Sequence, residues 1–407
     1  MPLQPWMAFA SSRLALIVTG YLALTLFPAH PVESWQGLAF PGNNWIDGWV
    51  RWDSFWYESI VDPHPSFIPA YLSNANFFPF YSWVSWMAAL PFRAFLDLEH
   101  AFFIGALIVS SVSFLLGLTA VDRLTTKLAG TDVAARAVWL IAVFPFSFFL
   151  TAVYADALYF CLCAWSLTFA YERRWPLACA LAAMASMTRI PGLALFPALG
   201  LEYLRQHPPS PRGFHLRQGY GGQVGGTGWS PWIKRAAVLI AILAIGPIVM
   251  GGYFYWRYDD PIAFLHARQL GWNRAVGIAG WARDFAYFFE PPIFACSGVA
   301  DCIREFAPTR ALLGASYLLL LPVTIALTVS AARTLGAGLT AWVLISVAMS
   351  LANGFDGIGR FTAVLFPVFI ALAMLLRSRQ VFVTVCVAWL PFLLLFFAQF
   401  ARWRQVL

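Results

Sequence analysis

The chain has 407 residues, of which 60% are hydrophobic and only 11% are charged, whereas soluble domains carry roughly 25% charged residues. Together with a mean hydropathy of +0.70, this composition excludes an ordinary soluble protein and predicts a polytopic membrane protein. The net charge of +7 is spread over many loops and not gathered in one basic tract, so we expect no nucleic-acid partner.

Apolar runs predict the membrane segments in chain order. A helix that crosses a bilayer needs about 20 apolar residues, and the runs leave room for about 10 to 12 crossings. We therefore predict an all-α polytopic transmembrane bundle that forms one integrated domain over residues 1–407. Several runs are short, which indicates tilted, broken or partly inserted segments. The predicted segments are 13–29, 77–92, 101–121, 137–153, 155–171, 176–188, 190–204, 236–256, 311–331, 337–351, 361–376 and 381–400.

The bias of Lys and Arg toward the cytoplasm predicts the orientation. Loop 205–235 has five basic residues and no acid, so the positive-inside rule places it in the cytoplasm. Counting the predicted membrane segments from this loop places loop 257–310 outside. The acidic segment 30–76 also lies outside if segment 77–92 does not fully cross the membrane. One kinked helix over 176–204 is the alternative that places 30–76 on the same side. The arginine-rich composition favours a bacterial inner membrane, with the active site facing outside.

Residues 45–62 combine acids and aromatics in a chain with few charges. Ionised carboxylates are costly beside hydrocarbon, so acids among tryptophans at a membrane edge indicate a site for a polar substrate. We predict that 30–76 is an extracytoplasmic catalytic loop that carries short amphipathic helices, with Asp53 as its central candidate. The structural alternative is an interfacial aspartate that caps a short helix. The flanking Asp47 and Glu58 either hold an acceptor or are solvated.

Five further charged residues are candidates for a site. Asp156 begins an apolar run, where a free carboxylate is costly, and its alternatives are ion pairing and helix capping. Arg189 lies between two apolar runs and Arg360 precedes one, both against the cytoplasmic bias of arginine. We predict that these arginines bind an anionic group, with snorkelling or structural ion pairing as the alternative. Arg268 and Arg274, in loop 257–310, are secondary candidates.

Cysteines, glycines and histidines complete the sequence predictions. Cys296 and Cys302 share a polar loop and are predicted to form a disulfide if that loop is extracytoplasmic. Residues 212–231 contain seven glycines, which makes loop 205–235 flexible. The six histidines never pair at ligand spacing, so we expect no metal or other cofactor. A divalent ion held by Asp53 or Asp156 is the alternative.

Six short motifs occur in order along most of the chain: Arg51-Trp-Asp53-Ser-Phe-Trp-Tyr57, Phe77-Phe-Pro79-Phe-Tyr81, Tyr154-Ala-Asp156-Ala-Leu, Arg189-Ile-Pro-Gly192, Gln269-Leu-Gly-Trp272-Asn-Arg274, and Arg360-Phe361 with Pro367. This series resembles the integral-membrane mannosyltransferases related to the second GPI mannosyltransferase (phosphatidylinositol-glycan class V), including their bacterial members, in the GT-C superfamily. Two positions depart from that family, because Asp156 replaces its usual glutamate and Gly359 replaces the proline before Arg360.

The resemblance implies a GT-C-like fold and transfer of a hexose, typically mannose, from a polyprenyl phosphate carrier to an extracytoplasmic acceptor, with inversion at the anomeric carbon. In this hypothesis Asp53 is the general base, Asp156 helps to place acceptor or base, and Arg360 and Arg189 bind the lipid phosphate. The other predicted substrate-binding residues are Arg274, Arg268, Trp52, Trp56, Tyr57, Glu58, Phe78, Tyr81 and Gln269.

The expected partners are a polyprenyl-phosphate-linked sugar donor, an acceptor that is a lipid, a glycan or a protein, and membrane lipids. A pentose or glucose donor stays open. The alternative function is a transporter or flippase that moves a polar or lipid-linked substrate without making bonds, since charged residues also occur along transport paths. The two halves of the chain show no visible inverted repeat, which disfavours this alternative.

Overall fold

A computed structural model describes residues 3–27, 37–61, 72–207, 231–272, 277–289, 307–352 and 354–404. Within these ranges the protein is all-α and contains no β-strand, as the sequence predicts. Its helices are α1 (Leu3–Leu26), α2 (Asp53–Ser59), α3 (Phe80–Ala89), α4 (Leu98–Ala129), α5 (Thr131–Val143), α6 (Asp156–Tyr171), α7 (Trp175–Thr188), α8 (Leu195–Gln206), α9 (Pro231–Tyr258), α10 (Ala263–His266), α11 (Ile278–Phe289), α12 (Ala307–Ser330), α13 (Ala332–Leu351), α14 (Ile358–Val364), α15 (Phe366–Leu375) and α16 (Arg379–Ala401).

Six helices in the described ranges are long and apolar enough to cross a membrane, namely α1, α4, α9, α12, α13 and α16. Helices α14 and α15 form a seventh candidate, which is bent by 77° at their junction. Leu365 breaks this helix with a ψ of 66°, and Pro367 lies in the first turn of α15, where its missing N–H costs no helical hydrogen bond. The protein is therefore an integral membrane protein.

The structure corrects one predicted segment, 137–153, and agrees with a short segment at 77–92 and with separate segments at 176–188 and 190–204. Helix α5 ends at Val143, and residues 144–155 form a buried loop with a 3₁₀ turn at Ser147–Leu150, so the predicted segment 137–153 is wrong in its second half. Helix α3 has ten residues, about half of what a crossing needs. Helices α7 and α8 form an antiparallel hairpin and not one kinked helix, because the ring of Trp175 lies 4.9 Å from that of Tyr203.

Arg13 of α1 supports the buried loop 144–155. Backbone carbonyls buried at membrane depth need hydrogen-bond donors. The Arg13 guanidinium donates to the carbonyl oxygens of Ala142 and Ser147, each at 3.0 Å, and to the Thr151 hydroxyl at 2.9 Å. Phe114 packs against the same guanidinium, 4.6 Å from its ring centre. The loop before α6 is thus attached to the first helix.

We expect Arg13→Leu to lower the free energy of unfolding by about 2–4 kcal/mol, because the loop carbonyls lose a charged donor and stay buried. Thermal unfolding of the purified protein in detergent, followed by the loss of monodisperse material, measures this effect. Arg333→Leu, which removes an exposed arginine at the start of α13, is the matched control. Equal unfolding temperatures for the two variants would contradict the supporting role of Arg13.

Helix α6 separates two polar regions of the bundle. At its C-terminal end, Arg123 bonds Glu172 with a 2.5 Å Nε–Oε1 contact, and the Lys127 ammonium donates to the Tyr171 carbonyl at 2.8 Å. Asp156 lies at the N-terminal end, and sixteen helical residues place the two ends about 24 Å apart. Arg123 and Lys127 therefore lie at the opposite end of α6 from the candidate site residue Asp156.

The predicted loops are only partly described. Segment 30–76 contains the short helix α2 and 3₁₀ turns at Asp47–Trp49 and Asn74–Asn76, in agreement with the short helices expected there. Predictions that lie outside the described residues are the glycine-rich part of loop 205–235, the contact made by Arg274, and the Cys296–Cys302 disulfide.

Candidate active site

Four charged side chains from distant parts of the chain meet at one end of the bundle. Asp53 is the first residue of α2, and Asp156 is the first residue of α6. Arg189 follows the last residue of α7 at the tip of the α7–α8 hairpin, and Arg360 is the third residue of α14. Each functional group therefore lies at a helix end, where backbone and side chains turn out of the apolar interior.

Arg360 joins the two carboxylates. Its Nη1 donates to Asp53 Oδ2 at 2.7 Å, and its Nε donates to Asp156 Oδ2 at 2.8 Å. Arg189 bonds the other oxygen of Asp156 through Nη1. The Asp156 side chain is 0% exposed and that of Asp53 is 16% exposed. Two guanidinium and two carboxylate charges cancel in this cluster, which lowers the cost of placing them beside hydrocarbon.

Aromatic rings fix the orientation of the Arg360 guanidinium. Its Cζ lies 4.4 Å from the ring centre of Tyr154 and 5.5 Å from that of Phe149, both within cation–π distance. The backbone N–H of Asp53 donates to the Tyr154 hydroxyl at 3.3 Å. The buried loop 144–155 thus contacts the candidate base and the candidate phosphate-binding arginine together.

A cavity of about 450 Å³ opens onto this cluster. Aromatic, amide and charged side chains line it, a composition suited to a polar ligand with an apolar part. Seven residues predicted from the sequence line this cavity: Asp53, Tyr57, Phe78, Arg189, Arg268, Gln269 and Arg360. The structure therefore brings together the predicted base, both principal arginines and part of the predicted substrate path.

Asp156, Trp56 and Glu58 lie outside the lining of the cavity. Asp156 is enclosed behind the two arginines. The Trp56 ring packs 6.1 Å from that of Phe77 and 5.3 Å from that of Trp272, so it supports two lining residues from behind. Glu58 is partly buried on α2.

Tyr81 and Trp52 do not reach the cavity, which corrects the substrate-path role predicted for them. The Tyr81 hydroxyl is buried, 3.2 Å from the Ala106 carbonyl and 2.9 Å from the Ser110 hydroxyl. The Trp52 ring packs 5.4 Å from that of Trp403. Trp52 also has a φ of 52° directly before Asp53, a strained conformation for a bulky residue. Both side chains are packing residues.

Asp47 has a structural role, which corrects the acceptor-binding alternative. Its Oδ1 accepts the Phe40 N–H at 2.9 Å, and its Oδ2 bonds the Arg51 guanidinium. Arg51 is 0% exposed and also donates through Nε to the Ala401 carbonyl at 2.7 Å. This buried pair attaches the start of the loop to α16, and both carboxylate oxygens are used inside the protein.

Asp284, which the sequence did not indicate as a site residue, shapes the loop before α14. Its Oδ2 accepts the backbone N–H groups of Phe355 at 2.7 Å and Asp356 at 2.9 Å. Gly354 has a φ of +125°, and a Cβ there would lie 2.1 Å from the same oxygen. Asp284 therefore helps to position Arg360, a few residues further on. No local pattern signals this bond, because its partners are 71 and 72 residues away.

Arg268 and Gln269 lie on a single π-helical turn, Ala267–Gly271, after α10. The Trp272 N–H donates to the Ala267 carbonyl at 3.0 Å and closes this wider turn. Such turns often re-aim side chains at functional sites, and here both side chains line the cavity.

The described residues contain no group of three or more His, Cys, Asp and Glu side chains that could hold a metal ion. The Asp53 and Asp156 oxygens that face Arg360 are bonded to its guanidinium. A cation at either of these oxygens would have to displace an arginine.

No family model and no curated protein sequence matches the chain. Among solved structures, the oligosaccharyltransferase of Archaeoglobus fulgidus in complex with zinc and sulfate has a TM-score of 0.50 and 14% identity, over 96% of this chain and 53% of that chain. The archaeal oligosaccharyltransferase AglB from the same organism, with an inhibitory peptide and a dolichol-phosphate, has a TM-score of 0.45 and 15% identity, over 97% and 56%.

This chain thus spans about half the length of the solved structures that it resembles. At this level of identity the likeness concerns the fold alone, and it rests on the first of the two structures. The absence of a matching sequence leaves the mannosyltransferase resemblance an expectation. The chain is an all-α integral membrane protein whose fold is similar to that of the Archaeoglobus fulgidus oligosaccharyltransferase.

Proposed function

We propose that the protein is an inverting glycosyltransferase that moves a hexose, with mannose as the expected sugar, from a polyprenyl phosphate carrier to an acceptor at the extracytoplasmic membrane face. The observation that carries this proposal is the 2.7 Å contact between Asp53 and Arg360 at the edge of one cavity. A candidate base and a candidate phosphate ligand are thus neighbours. The similarity of the fold to that of an oligosaccharyltransferase also supports the proposal.

The reaction requires a base and a cation in this arrangement. The acceptor hydroxyl oxygen forms a bond to the anomeric carbon, while the bond from that carbon to the phosphate oxygen breaks and its electron pair stays on the phosphate. Asp53 takes the hydroxyl proton. Arg360 and Arg189 stabilise the negative charge that develops on the leaving phosphate, because guanidinium groups match phosphate oxygens in geometry and charge.

Asp156 is a positioning residue in this proposal. We predicted from the sequence that Asp156 helps to place the acceptor or the base. In the structure Asp156 is fully buried and bonds both arginines. One carboxylate that binds two guanidiniums sets the spacing between them. The N–H groups of both arginines are then arranged before the sugar-phosphate substrate binds, which avoids reorganisation during the reaction.

The position of the site favours an enzyme over a transporter. Transport sites lie near the bilayer midplane, at the interface of repeats, whereas these four charged residues lie at helix ends at one end of the bundle. Arg123 and Lys127 lie at the opposite end of α6 from Asp156. With the positive-inside rule, this supports a site that faces outside, which in the proposed bacterial inner membrane is the periplasmic face.

Mass analysis of proteoliposomes that contain a synthetic polyprenyl phosphate mannose tests the proposal. The wild type should consume the donor and release polyprenyl phosphate in the presence of membrane extract as the acceptor source, and Arg360→Lys should lower this rate about 10²-fold or more. A panel of other sugar phosphates tests the choice of sugar. An intact donor with every sugar, together with uptake of unchanged substrate by sealed vesicles, would instead support the transporter.

Gly359→Ala is expected to reduce the rate of sugar transfer about 10- to 100-fold, because a small displacement of a catalytic group is costly. A Cβ at Gly359 would lie 2.6 Å from the ring of buried Phe146, which itself stacks 5.0 Å from Phe396. The added methyl group therefore displaces α14 and Arg360. Gly200→Ala is the control, since no atom lies within 4 Å of its Cβ position. Equal rates for both variants would contradict this packing argument.

A further inference from the structure

The two carboxylates of the cluster differ in their cationic partners. Asp156 bonds both Arg189 and Arg360. Among the described contacts, Arg360 is the one cation bonded to Asp53. If Arg360 exchanges its Nη1 bond for a bond to a new anion, Asp156 therefore keeps its cations and Asp53 loses its own.

We propose that Asp53 and the donor phosphate compete for Arg360, and that Arg360 passes from the base to the leaving phosphate during the reaction. This inference rests on the proposed function and adds a coupling between its two halves. Arg360 is then not only a phosphate ligand. It also links protonation of the base to departure of the lipid phosphate.

The balance of charge in the reaction favours such a link. The donor phosphate is a diester with one negative charge, and the released polyprenyl phosphate is a monoester with a charge near −2 at neutral pH. Asp53 changes in the opposite sense, from one negative charge to none, when it takes the acceptor proton. One unit of negative charge thus moves from Asp53 to the phosphate, and a single guanidinium that reaches both groups stays neutralised throughout.

The geometry of Arg360 suits an exchange of partners. Its Nε is bonded to the fully buried Asp156, and the rings of Tyr154 and Phe149 pack on the guanidinium. These contacts hold the group in place from behind. Its Nη1 bonds Asp53 at the cavity edge, so this bond can be exchanged for a phosphate oxygen without moving the arginine.

The exchange has a consequence for product release. A protonated Asp53 no longer competes for Nη1, so the cluster holds the lipid phosphate most tightly just after transfer. When Asp53 loses its proton it recovers Arg360 and helps to expel the phosphate. The neutral variant Asp53→Asn permanently imitates the protonated base and should retain the product.

Binding of farnesyl phosphate, a short polyprenyl phosphate, to the purified protein in detergent tests this inference. We expect Asp53→Asn to lower the Kd about 5- to 20-fold, because the side chain no longer competes with the phosphate for Arg360. Arg360→Gln should raise the Kd by at least about tenfold, because a charge-assisted contact to the phosphate is lost. Asp132→Asn, which removes one negative charge from an exposed position near the start of α5 outside the cavity lining, should change the Kd less than twofold.

The outcomes separate the inference from the proposed function. If the wild type binds farnesyl phosphate but Asp53→Asn binds it equally or more weakly, the competition does not exist and the inference fails alone. A wild-type Kd unchanged by Arg360→Gln also overturns it. If the folded wild type binds no farnesyl phosphate, the proposed donor class is wrong and the inference falls with it. Asp53→Ala serves as the second neutral variant if Asp53→Asn unfolds.

Discussion

Asp53→Asn is expected to reduce sugar transfer about 10²- to 10⁴-fold, the usual contribution of a general base, while the protein stays folded. The substitution keeps the shape of the side chain but removes its ability to accept the acceptor proton. Asp53 is partly exposed at the cavity edge, and its partner Arg360 keeps its bond to Asp156. The folded state therefore loses one ion pair without leaving a guanidinium unpaired.

Rates of donor consumption in proteoliposomes, together with unfolding temperatures, measure this prediction. Asp132→Asn is the matched control, because it neutralises an exposed acid that does not line the cavity. We expect its transfer rate to stay within about twofold of the wild type, as for other substitutions away from a site. Full transfer activity in Asp53→Asn would rule out Asp53 as the base.

Asp156→Asn is expected to act mainly on stability, with a loss of about 3–5 kcal/mol, the cost of removing one partner of a buried ion pair. Asp156 is 0% exposed and compensates both Arg189 and Arg360. Its neutralisation removes the carboxylate bonded to Arg189 and one of the two bonded to Arg360, so we expect a low yield of folded protein and no measurable transfer. The same change from carboxylate to amide thus acts mainly on the transfer rate at Asp53 and mainly on stability at Asp156.

Thermal unfolding in detergent tests this difference. Asp132→Asn, at an exposed position near the start of α5, is the control and should unfold at the wild-type temperature. Asp156→Glu keeps the charge and should recover folded protein, although an added methylene in a packed site costs about 1–3 kcal/mol. Wild-type stability in Asp156→Asn would show that the two arginines do not depend on this carboxylate.

Local properties of the chain were sufficient for several predictions. Long apolar runs indicate membrane helices because backbone polar groups in lipid must bond within their own segment. Charged residues in or beside such runs are costly unless they are used, which is why Asp53, Asp156, Arg189 and Arg360 could be predicted as site residues, and the structure brings these four together. The short helix α2 in the first loop was likewise expected.

Contacts between distant residues were beyond the reach of the same reasoning. Hydrophobic periodicity could not distinguish a membrane helix over 144–153 from a buried loop, because both are apolar on every side, and the bonds from Arg13 that satisfy this loop come from α1. The sequence also could not show that Tyr81 points away from the cavity or that Asp284 supports the loop before Arg360.

By itself the sequence determined that this protein is helical, lies in a membrane and places costly charges at particular helix ends. Only the tertiary structure decided which charges pair. The Arg360 bond to Asp53 spans 307 residues and the Arg189 bond to Asp156 spans 33, and these partners depend on how helices pack and where each helix ends. The physical reason is that burial costs depend on residue type and are local, whereas ion-pair geometry depends on the relative positions of separate helices.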